Sequence, residues 1–366
     1  VLVVIMHVVH FVVFVVKDMN RALLSIFWNL FLIFIMCGCT QDKIEKGTEI
    51  IVNPNYSQTI SWSDCNKFKL QQDSLMIGKI SKSIYYDDKF LISTQGKLLL
   101  YSRDGNFIGQ IGQRGRAANE YIGYTDCWIQ DNHVYLYDMN GKKVLKYTLD
   151  NQLDKIYPLK SEVSPNTYPF AFIIPFGDGY IGQCVWNGSM KESPALAFYD
   201  KNFAFHSVIG HLTIRSGLRI GYPLIQSVNN TALYWNPLDR RIFRITPDQN
   251  IKLAYTLSFG NKNYPELTTV KDDYEILGLY QDKTWRKNHA GIITYVWENA
   301  ENLLFLYSYA DNLHIGIYTQ NTVSNYRLID SKQSNILSSA FDGTSLYFFV
   351  EIPDGVEVYS IDLKNL

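Results

Sequence analysis

The chain has 366 residues, of which 47% are hydrophobic and 14% aromatic, and this is enough apolar surface for a large core. Its 34 basic and 35 acidic residues leave a formal net charge of −1. No overall positive field therefore favours nucleic acid, and we expect no nucleic-acid partner.

Two apolar runs, Val1–Val16 and Ala22–Met36, open the chain and are separated by the polar segment KDMNR. If translation starts at Met19 rather than at the first printed residue, the second run has the order of a secretory signal. The run leads into IMCGCTQ, which resembles a bacterial lipobox with Cys39 as the lipidated residue. Each run has about 15 residues, fewer than the ~20 of a membrane-spanning helix, so we favour a lipoprotein signal over an uncleaved anchor.

We therefore predict an upstream extension and signal peptide over 1–38, a polar tether over 39–58, and the folded domain over 59–366. Thr40, rather than Asp, follows Cys39. By resemblance to envelope lipoproteins, this implies a lipid anchor in the outer membrane of a bacterial cell envelope. The periplasmic and the surface-facing orientations both remain open.

Three cysteines lie in the predicted domain, namely Cys65, Cys127 and Cys184. They show no CxxC or other metal-ligand spacing, so we expect neither a metal nor a cofactor. Buried thiols are the expected state, and one disulfide in an oxidising envelope is the alternative.

A short hairpin pattern recurs along the chain. It consists of an aromatic or aliphatic residue, two spacers, Asp, two turn residues and an apolar residue, as in Tyr101–Phe107, where Asp104-Gly105 is typical of a tight turn. The copies begin at Tyr101, Tyr147, Phe198, Ile245, Tyr318 and Tyr359, at spacings of 46, 51, 47, 73 and 41. Strand-like runs precede the hairpins. Periods of this size predict an all-β, six-bladed β-propeller with four-stranded antiparallel blades.

The last copy begins at Tyr359 and the printed sequence ends at Leu366, which leaves no room for a fourth strand. A blade without its outer strand would expose unpaired backbone groups. Asn66–Gln71 is a spare strand ahead of the first blade, so we predict that it pairs beside Ser360–Leu363 and closes the ring. The longest spacing predicts an insertion at 261–291 that contains a short amphipathic helix.

The segment IGQRGRAANEY, Ile111–Tyr121, carries a family resemblance. Together with the lipobox and the repeats, it resembles the bacterial six-bladed β-propeller lipoproteins related to NHL-repeat proteins, over residues 79–366. The matching positions are Gly112, Gly115, Glu120 and Tyr121. Residues 117–119 read Ala-Ala-Asn where Gly, Pro and Gly are usual. The resemblance implies the architecture, whereas the family is mostly of unassigned activity.

In a propeller, the links between blades gather on one face, around the mouth of the channel. Basic residues beside aromatic ones there suit an anionic or carbohydrate-like ligand. The predicted ligand-binding residues are Arg114, Arg116, Arg215, Arg219, Trp285 and Arg286. The alternative is that the arginines are solvated loop charges and that Trp285 packs the insertion onto the ring.

An enzyme would need reactive groups near the channel. The predicted inner strands offer only carboxylates as catalytic candidates, at Asp126, Glu298 and Asp342, and each of these could instead pair locally. We therefore favour an envelope lipoprotein whose propeller is a binding or scaffolding module for a glycan, a peptide or another anionic ligand. The alternatives are a lyase or hydrolase that uses these carboxylates, and a structural partner of another envelope protein.

Overall fold

The computed structural model describes residues 47–72, 77–159, 170–184, 194–211, 224–226, 228–237, 239–264, 278–279, 281–329 and 336–366. The chain divides into the units Val1–Glu45 and Lys46–Leu366. All described residues belong to the second unit, so the predicted signal peptide and Cys39 lie outside them. Within the described part, no helix is long and apolar enough to cross a membrane.

The described strands form six sheets, which we call blades I to VI. Three strands precede blade I: β1 (Thr48–Ile51), β2 (Gln58–Ser61) and β3 (Asn66–Lys69). Blade I contains β4 (Ile80–Tyr86), β5 (Lys89–Thr94), β6 (Lys97–Ser102) and β7 (Phe107–Gln110). Blade II contains β8 (Asp126–Gln130), β9 (His133–Asp138), β10 (Lys143–Thr148) and β11 (Leu153–Pro158). Blade III contains β12 (Phe170–Phe176), β13 (Gly179–Cys184), β14 (Pro194–Tyr199) and β15 (Phe205–His211).

Blade IV contains β16 (Leu224–Gln226), β17 (Ala232–Trp235), β18 (Arg241–Ile245) and β19 (Ile251–Ser258). A short helix, α1 (Lys283–Asn288), precedes blade V. Blade V contains β20 (Gly291–Glu298), β21 (Asn302–Tyr309), β22 (Asn312–Thr319) and β23 (Thr322–Ile329). Blade VI contains β24 (Ile336–Phe341), β25 (Ser345–Ile352) and β26 (Gly355–Asp362), followed by β3.

The prediction of a ring of six four-stranded antiparallel blades is confirmed. The first strands of neighbouring blades contact each other, as β4 contacts both β24 and β8, so the first strand of a blade is the innermost one. Because successive strands alternate in direction, the links between blades and the turns between second and third strands lie on one face. We call this the link face, and the opposite one the turn face.

The N-terminal strand closes the ring. β3 pairs antiparallel with β26, with Asn66 opposite Ser360 and Lys69 opposite Glu357. The predicted closing strand is therefore confirmed, but it lies beside Glu357–Ser360 rather than beside Ser360–Leu363. The physical reason is that β26 starts earlier than the hairpin pattern indicated, whereas the segment after it is a 3-10 turn that Asp362 caps by accepting a hydrogen bond from the Lys364 N–H (2.9 Å).

Two further N-terminal strands lengthen blades IV and V. β1 pairs parallel with β19, and β2 pairs parallel with β23. The sequence predicted a polar tether as far as residue 58, whereas Thr48–Ile51 belongs to a sheet. The reason is that Ile50 and Val52 bury their side chains between blades IV and V, and these two apolar residues outweigh the polar composition around them.

The hydrophobic core lies between the blades. Each of six buried clusters joins two neighbouring blades. The N-terminal segment 47–70, which we call the strap, contributes to three clusters in succession. Ile50 and Val52 pack between blades IV and V, Trp62 between V and VI, and Leu70 between VI and I. The strap thus seals one half of the ring.

The predicted insertion 261–291 is described only in part. Gly260–Lys262 is a 3-10 turn, and α1 follows Asp282, whose side chain accepts hydrogen bonds from the N–H groups of Thr284 and Trp285. The amphipathic helix expected within the insertion, at 267–277, lies outside the described residues.

Candidate functional site

The link between blades I and II is a rigid loop on the link face. The N–H of Gly115 donates to the carbonyl of Tyr121 (2.9 Å), and the N–H of Tyr121 donates to the carbonyl of Gln113 (3.0 Å). The Tyr121 side chain is fully buried between the two blades, and its hydroxyl donates to the Gly96 carbonyl (2.9 Å). These hydrogen bonds and the buried ring hold the loop in one conformation, and a loop held in this way would lose little conformational entropy on binding a ligand.

The sequence signature of the loop has a structural reason. Glu120 Oε2 accepts a hydrogen bond from the Ala117 N–H (2.9 Å), so the carboxylate caps the turn. A Cβ atom at Gly115 would lie 1.8 Å from that oxygen, which explains why glycine stands there. Glu120 and Tyr121 are therefore structural residues, whereas Arg114 and Arg116 are among the residues that the loop exposes to solvent.

Arg114 and Arg116 are exposed on this loop. Asp138 Oδ2 accepts from the Ile122 N–H (2.9 Å), which joins the loop to the turn between β9 and β10. That turn adds exposed Lys142. We call Arg114, Arg116, Ile122, Met139 and Lys142 the link patch. It combines three exposed cations with two apolar side chains that are 42% and 36% exposed.

Trp285 and Arg286 also lie on the link face, in α1 ahead of blade V. Arg286 Nε lies 3.3 Å from the Asp311 carboxylate, so the charge of this arginine is partly neutralised. The half-buried Trp285 ring packs against Tyr264 (4.4 Å between centroids) and His289 (4.8 Å). Because Tyr264 and His289 both belong to the insertion 261–291, these contacts show that Trp285 packs within the insertion, and they leave less of its ring open to a ligand.

The structure does not bring all predicted ligand residues together. The link patch lies where blade I leads into blade II, whereas Trp285 and Arg286 lie where blade IV leads into blade V, on the far side of the ring. Arg215 and Arg219 lie outside the described residues. Of the predicted set, Arg114 and Arg116 form one candidate site.

The three carboxylates proposed for catalysis are separated as well. An inner strand runs from the link face to the turn face. Asp126 is the first residue of β8, Glu298 is the last residue of β20, and Asp342 directly follows β24. Asp126 therefore lies towards the opposite face from the other two, and the three do not converge on one site.

The buried carboxylate of Asp126, in blade II, contacts residues of blades I and III. Its Oδ1 lies 2.6 Å from Lys82 Nζ of blade I, and its Oδ2 accepts from the Ile173 N–H of blade III (2.8 Å). Lys82 Nζ also donates to the Cys127 carbonyl (2.8 Å). The Asp126 side chain is 2% exposed, so this ion pair is shielded from water. No local pattern in the sequence marks Lys82 as the partner of Asp126, because the two residues lie 44 positions apart.

Glu298 joins blade V to blade IV. Arg244 binds both carboxylate oxygens (2.7 and 2.6 Å), and the Tyr255 hydroxyl donates to Oε1 (2.7 Å). Burial, followed by the hydrogen bond to Glu298, raises the pKa of Tyr255 to about 12. Arg244, Tyr255 and Glu298 line a cleft of about 320 Å³ on the turn face. Because the carboxylate is held in a bidentate ion pair and also accepts the Tyr255 hydroxyl, both of its oxygens already have hydrogen-bond donors.

Asp342 organises the turn between β24 and β25. It accepts hydrogen bonds from the backbone N–H groups of Thr344 (2.7 Å) and Ser345 (2.6 Å) and from the Tyr347 hydroxyl (2.7 Å). Burial raises the pKa of this carboxyl, but the hydrogen bonds from Ser345 and its neighbours outweigh burial and lower it overall. Asp342 is therefore a turn residue that stays ionised.

The expectation of buried thiols is confirmed for Cys127 and Cys184, whereas Cys65 is half-buried. Cys65, Cys127 and Cys184 are free thiols, and the last two are buried. Burial raises the pKa of Cys127 and of Cys184 to about 12, which makes both poor nucleophiles. Within the described ranges, no group of three or more His, Cys, Asp or Glu side chains is placed to hold a metal ion.

The fold defines a six-bladed β-propeller, and the sequence places it in a family. Residues 71–361 match the family described as a domain of unknown function, DUF4934, and the chain belongs to that family.

Two solved structures share the architecture. One is a candidate exported protein from Bacteroides fragilis NCTC 9343, with 16% identity and a TM-score of 0.66 over 87% of this chain and 99% of that one. The other is a member of the DUF4221 family from Bacteroides vulgatus ATCC 8482, with 7% identity and a TM-score of 0.54 over 80% and 94%. Among curated proteins there is no match.

Proposed function

We propose that this protein is a non-catalytic binding module of the bacterial envelope whose link patch takes an anionic ligand, a glycan or a peptide. The observation that carries the proposal is the contrast between the two sets of charged residues. The candidate catalytic carboxylates are bound to neighbouring blades or turns, whereas Arg114 and Arg116 are exposed on a loop that is already fixed.

The chemistry of the link patch supports an anionic ligand. A guanidinium presents a planar fork of donors that matches a carboxylate or a phosphate, and Lys142 adds a third positive charge. Ile122 and Met139 offer apolar surface beside these cations. A ligand that carries both acidic groups and apolar patches, such as an acidic polysaccharide, would use both parts.

The test uses polygalacturonate as the probe and isothermal titration calorimetry as the measurement. We expect the double variant Arg114→Ala/Arg116→Ala to bind about tenfold or more weakly, because each lost charge-assisted hydrogen bond contributes about 1.5–3 kcal/mol. The matched control is Lys155→Ala/Lys364→Ala, which removes two exposed cations elsewhere and should bind normally. An unchanged affinity in the arginine variant, or no binding by the unmodified chain, would contradict the proposal.

The envelope location is a further part of the proposal. The lipobox-like segment that ends at Cys39 supports a lipid anchor in the outer membrane, and the structural neighbour from Bacteroides fragilis carries the description of an exported protein. Labelling of cells with an alkyne-bearing palmitate should mark the unmodified chain and leave Cys39→Ser unmarked. Equal labelling of the two would contradict the anchor at this residue.

A further inference from the structure

Among the described strands, the outer strand of blade III has an open sheet edge. β15 has seven residues and, among the described residues, pairs only with β14 on its inner side. Its sequence, FHSVIGH, contains none of the Lys, Arg, Asp or Glu residues with which proteins usually protect such edges. Within the described parts of the chain, the outward backbone N–H and C=O groups of β15 therefore have no partner strand.

Two apolar side chains of β15 face the same way. Phe205 is 43% exposed and Val208 is 42% exposed. Val208 lies opposite Ala197, and Phe205 lies opposite Tyr199. The three-residue step on β15 therefore matches a two-residue step on β14, which means that β15 has a β-bulge between Phe205 and Val208. Ala197 and Tyr199 both belong to the cluster between blades II and III, so Phe205 and Val208 share the side that faces blade II.

The other side of β15 borders a cleft of about 630 Å³ on the turn face. Phe176, Phe198 and Pro247 contribute apolar surface to it, and His206 of β15 is part of its wall. An extended segment laid along β15 would therefore find apolar surface for the side chains on both of its sides. This is the alternating pattern that a β-strand presents.

The protein itself shows how its blades accept such a segment. In the two blades that follow, β1 adds to β19 and β2 adds to β23, each as a four-residue strand in the parallel orientation. The other outer edges differ from β15. β11 carries the exposed charges of Asp154 and Lys155, and on β7 the Phe107 N–H is already bound by Gln71 Oε1 (3.1 Å).

We propose that β15 is a docking edge for an extended, apolar segment of a partner protein, which adds to blade III as a parallel fifth strand. The backbone ladder supplies affinity, while Phe205, Val208 and the cleft select apolar side chains. A second copy of this chain fits less well, because two-fold pairing of β15 with itself is antiparallel, whereas both additions seen in this fold are parallel. The site is separate from the link patch and does not depend on it.

The probe is a fluorescent peptide with the sequence of residues 47–55, GTEIIVNPN, which contains the strand that adds to blade IV. We expect it to bind the full chain in an anisotropy titration and to slow hydrogen exchange of the amides in 205–211. We also expect Phe205→Glu and Val208→Glu each to weaken binding by about tenfold. The matched control, Ile108→Glu, alters an exposed apolar residue on the outer strand of blade I and should change the affinity less than about twofold.

A peptide with Pro in place of its first Ile should not bind, since it lacks a ladder donor. The proposal is overturned if the original peptide does not bind, or if Val208→Glu and Ile108→Glu have equal effects. It is also overturned if the protected amides lie in 251–258, which would mean that the peptide has displaced β1. A Val208-dependent dimer without peptide would assign the edge to a second copy and likewise overturn it.

Discussion

The Asp126 carboxylate accepts one contact from Lys82 of blade I and another from a backbone amide of blade III, while itself belonging to blade II. Similar polar contacts join other neighbours. Ser83 and Ser338 meet between blades I and VI (2.9 Å), and the Trp235 Nε1–H donates to the Ile293 carbonyl between blades IV and V (3.1 Å). Polar groups near the axis thus hold the orientation of the blades.

Removing one partner of the Lys82–Asp126 pair leaves the other as a buried, uncompensated charge. We expect Lys82→Met to lower the free energy of unfolding by roughly 3–5 kcal/mol in urea titrations. The double variant Lys82→Met/Asp126→Leu should recover part of this loss, because it removes both charges together. If Lys82→Met is as stable as the unmodified protein, the pair does not join the blades in the way described.

The buried environment of His314 affects how the stability of the protein depends on pH. It is 1% exposed, on β22, and its ring stacks on Tyr307 (5.0 Å between centroids). Burial, with repulsion from Arg327 as the next cause, lowers the pKa of this imidazole from its ordinary 6.5 to about 4. The native protein therefore holds His314 neutral over a pH range in which the unfolded chain protonates it.

Stability should fall as the pH is lowered from about 6.5 to about 4, because the unfolded state then binds a proton that the native state does not. The contribution of His314 over this window is roughly 3 kcal/mol. Thermal unfolding of the unmodified chain and of His314→Phe across this range measures it, and the variant should have the flatter profile. Parallel profiles would contradict the assignment.

Among the elements, the strap differs most from what the sequence predicted. β3 was predictable from the sequence, because Asn66–Gln71 is a spare strand ahead of the first blade and the sixth blade required an outer strand. β1 and β2 were not predicted, because four-residue strands amid polar residues have no clear alternation and gain their stability from the seams between blades.

Trp62 allows a direct test of the strap. It lies between β2 and β3, is 2% exposed, and packs edge-on against Phe348 (5.4 Å) and Tyr359 (5.0 Å) in the seam between blades V and VI. We expect Trp62→Ala to lower the free energy of unfolding by about 3–5 kcal/mol, and Trp62→Phe by less. Trp285→Ala serves as the control, because Trp285 is only half-buried. Equal losses at the two positions would mean that the strap does not stabilise the ring.

The site was less predictable than the elements that carry it. The sequence indicated that Arg114 and Arg116 share a loop, because they are two residues apart within one link. Local pairing, the alternative stated for each candidate carboxylate, is found at Asp342. The sequence did not indicate the partners of Asp126 and Glu298, since Lys82 and Arg244 come from other blades and only the closed ring brings them near. Long-range pairing of this kind leaves no local pattern.

At the scale of the whole molecule, the repeat determined the architecture, because six copies of one hairpin can bury their apolar faces only against each other. The hairpin of the first blade also depends on closure. A Cβ atom at Gly105 would lie 2.6 Å from the Lys69 carbonyl oxygen, and the N–H of Gln71 donates to the Gly105 carbonyl (2.9 Å). The turn between β6 and β7 therefore packs closely against the closing strand β3 and the residues that follow it.

The most direct measurement of ring closure is disulfide trapping in the double variant Lys69→Cys/Glu357→Cys, with Cys65 replaced by Ser. These two positions are directly opposite, and the hydrogen bond from the Leu70 N–H to the Val356 carbonyl (3.0 Å) marks the neighbouring pair as the hydrogen-bonded one. Positions 69 and 357 are therefore in the closer kind of pair, which suits a disulfide. The control Lys69→Cys/Ser360→Cys is displaced by about 10 Å along the strand.

We expect mild oxidation to link positions 69 and 357 within one chain, as seen by peptide mass spectrometry, and to leave the control pair reduced. Failure of the first pair to form a disulfide in the folded protein, or equal formation in both, would contradict a propeller closed by its N-terminal strand in this register.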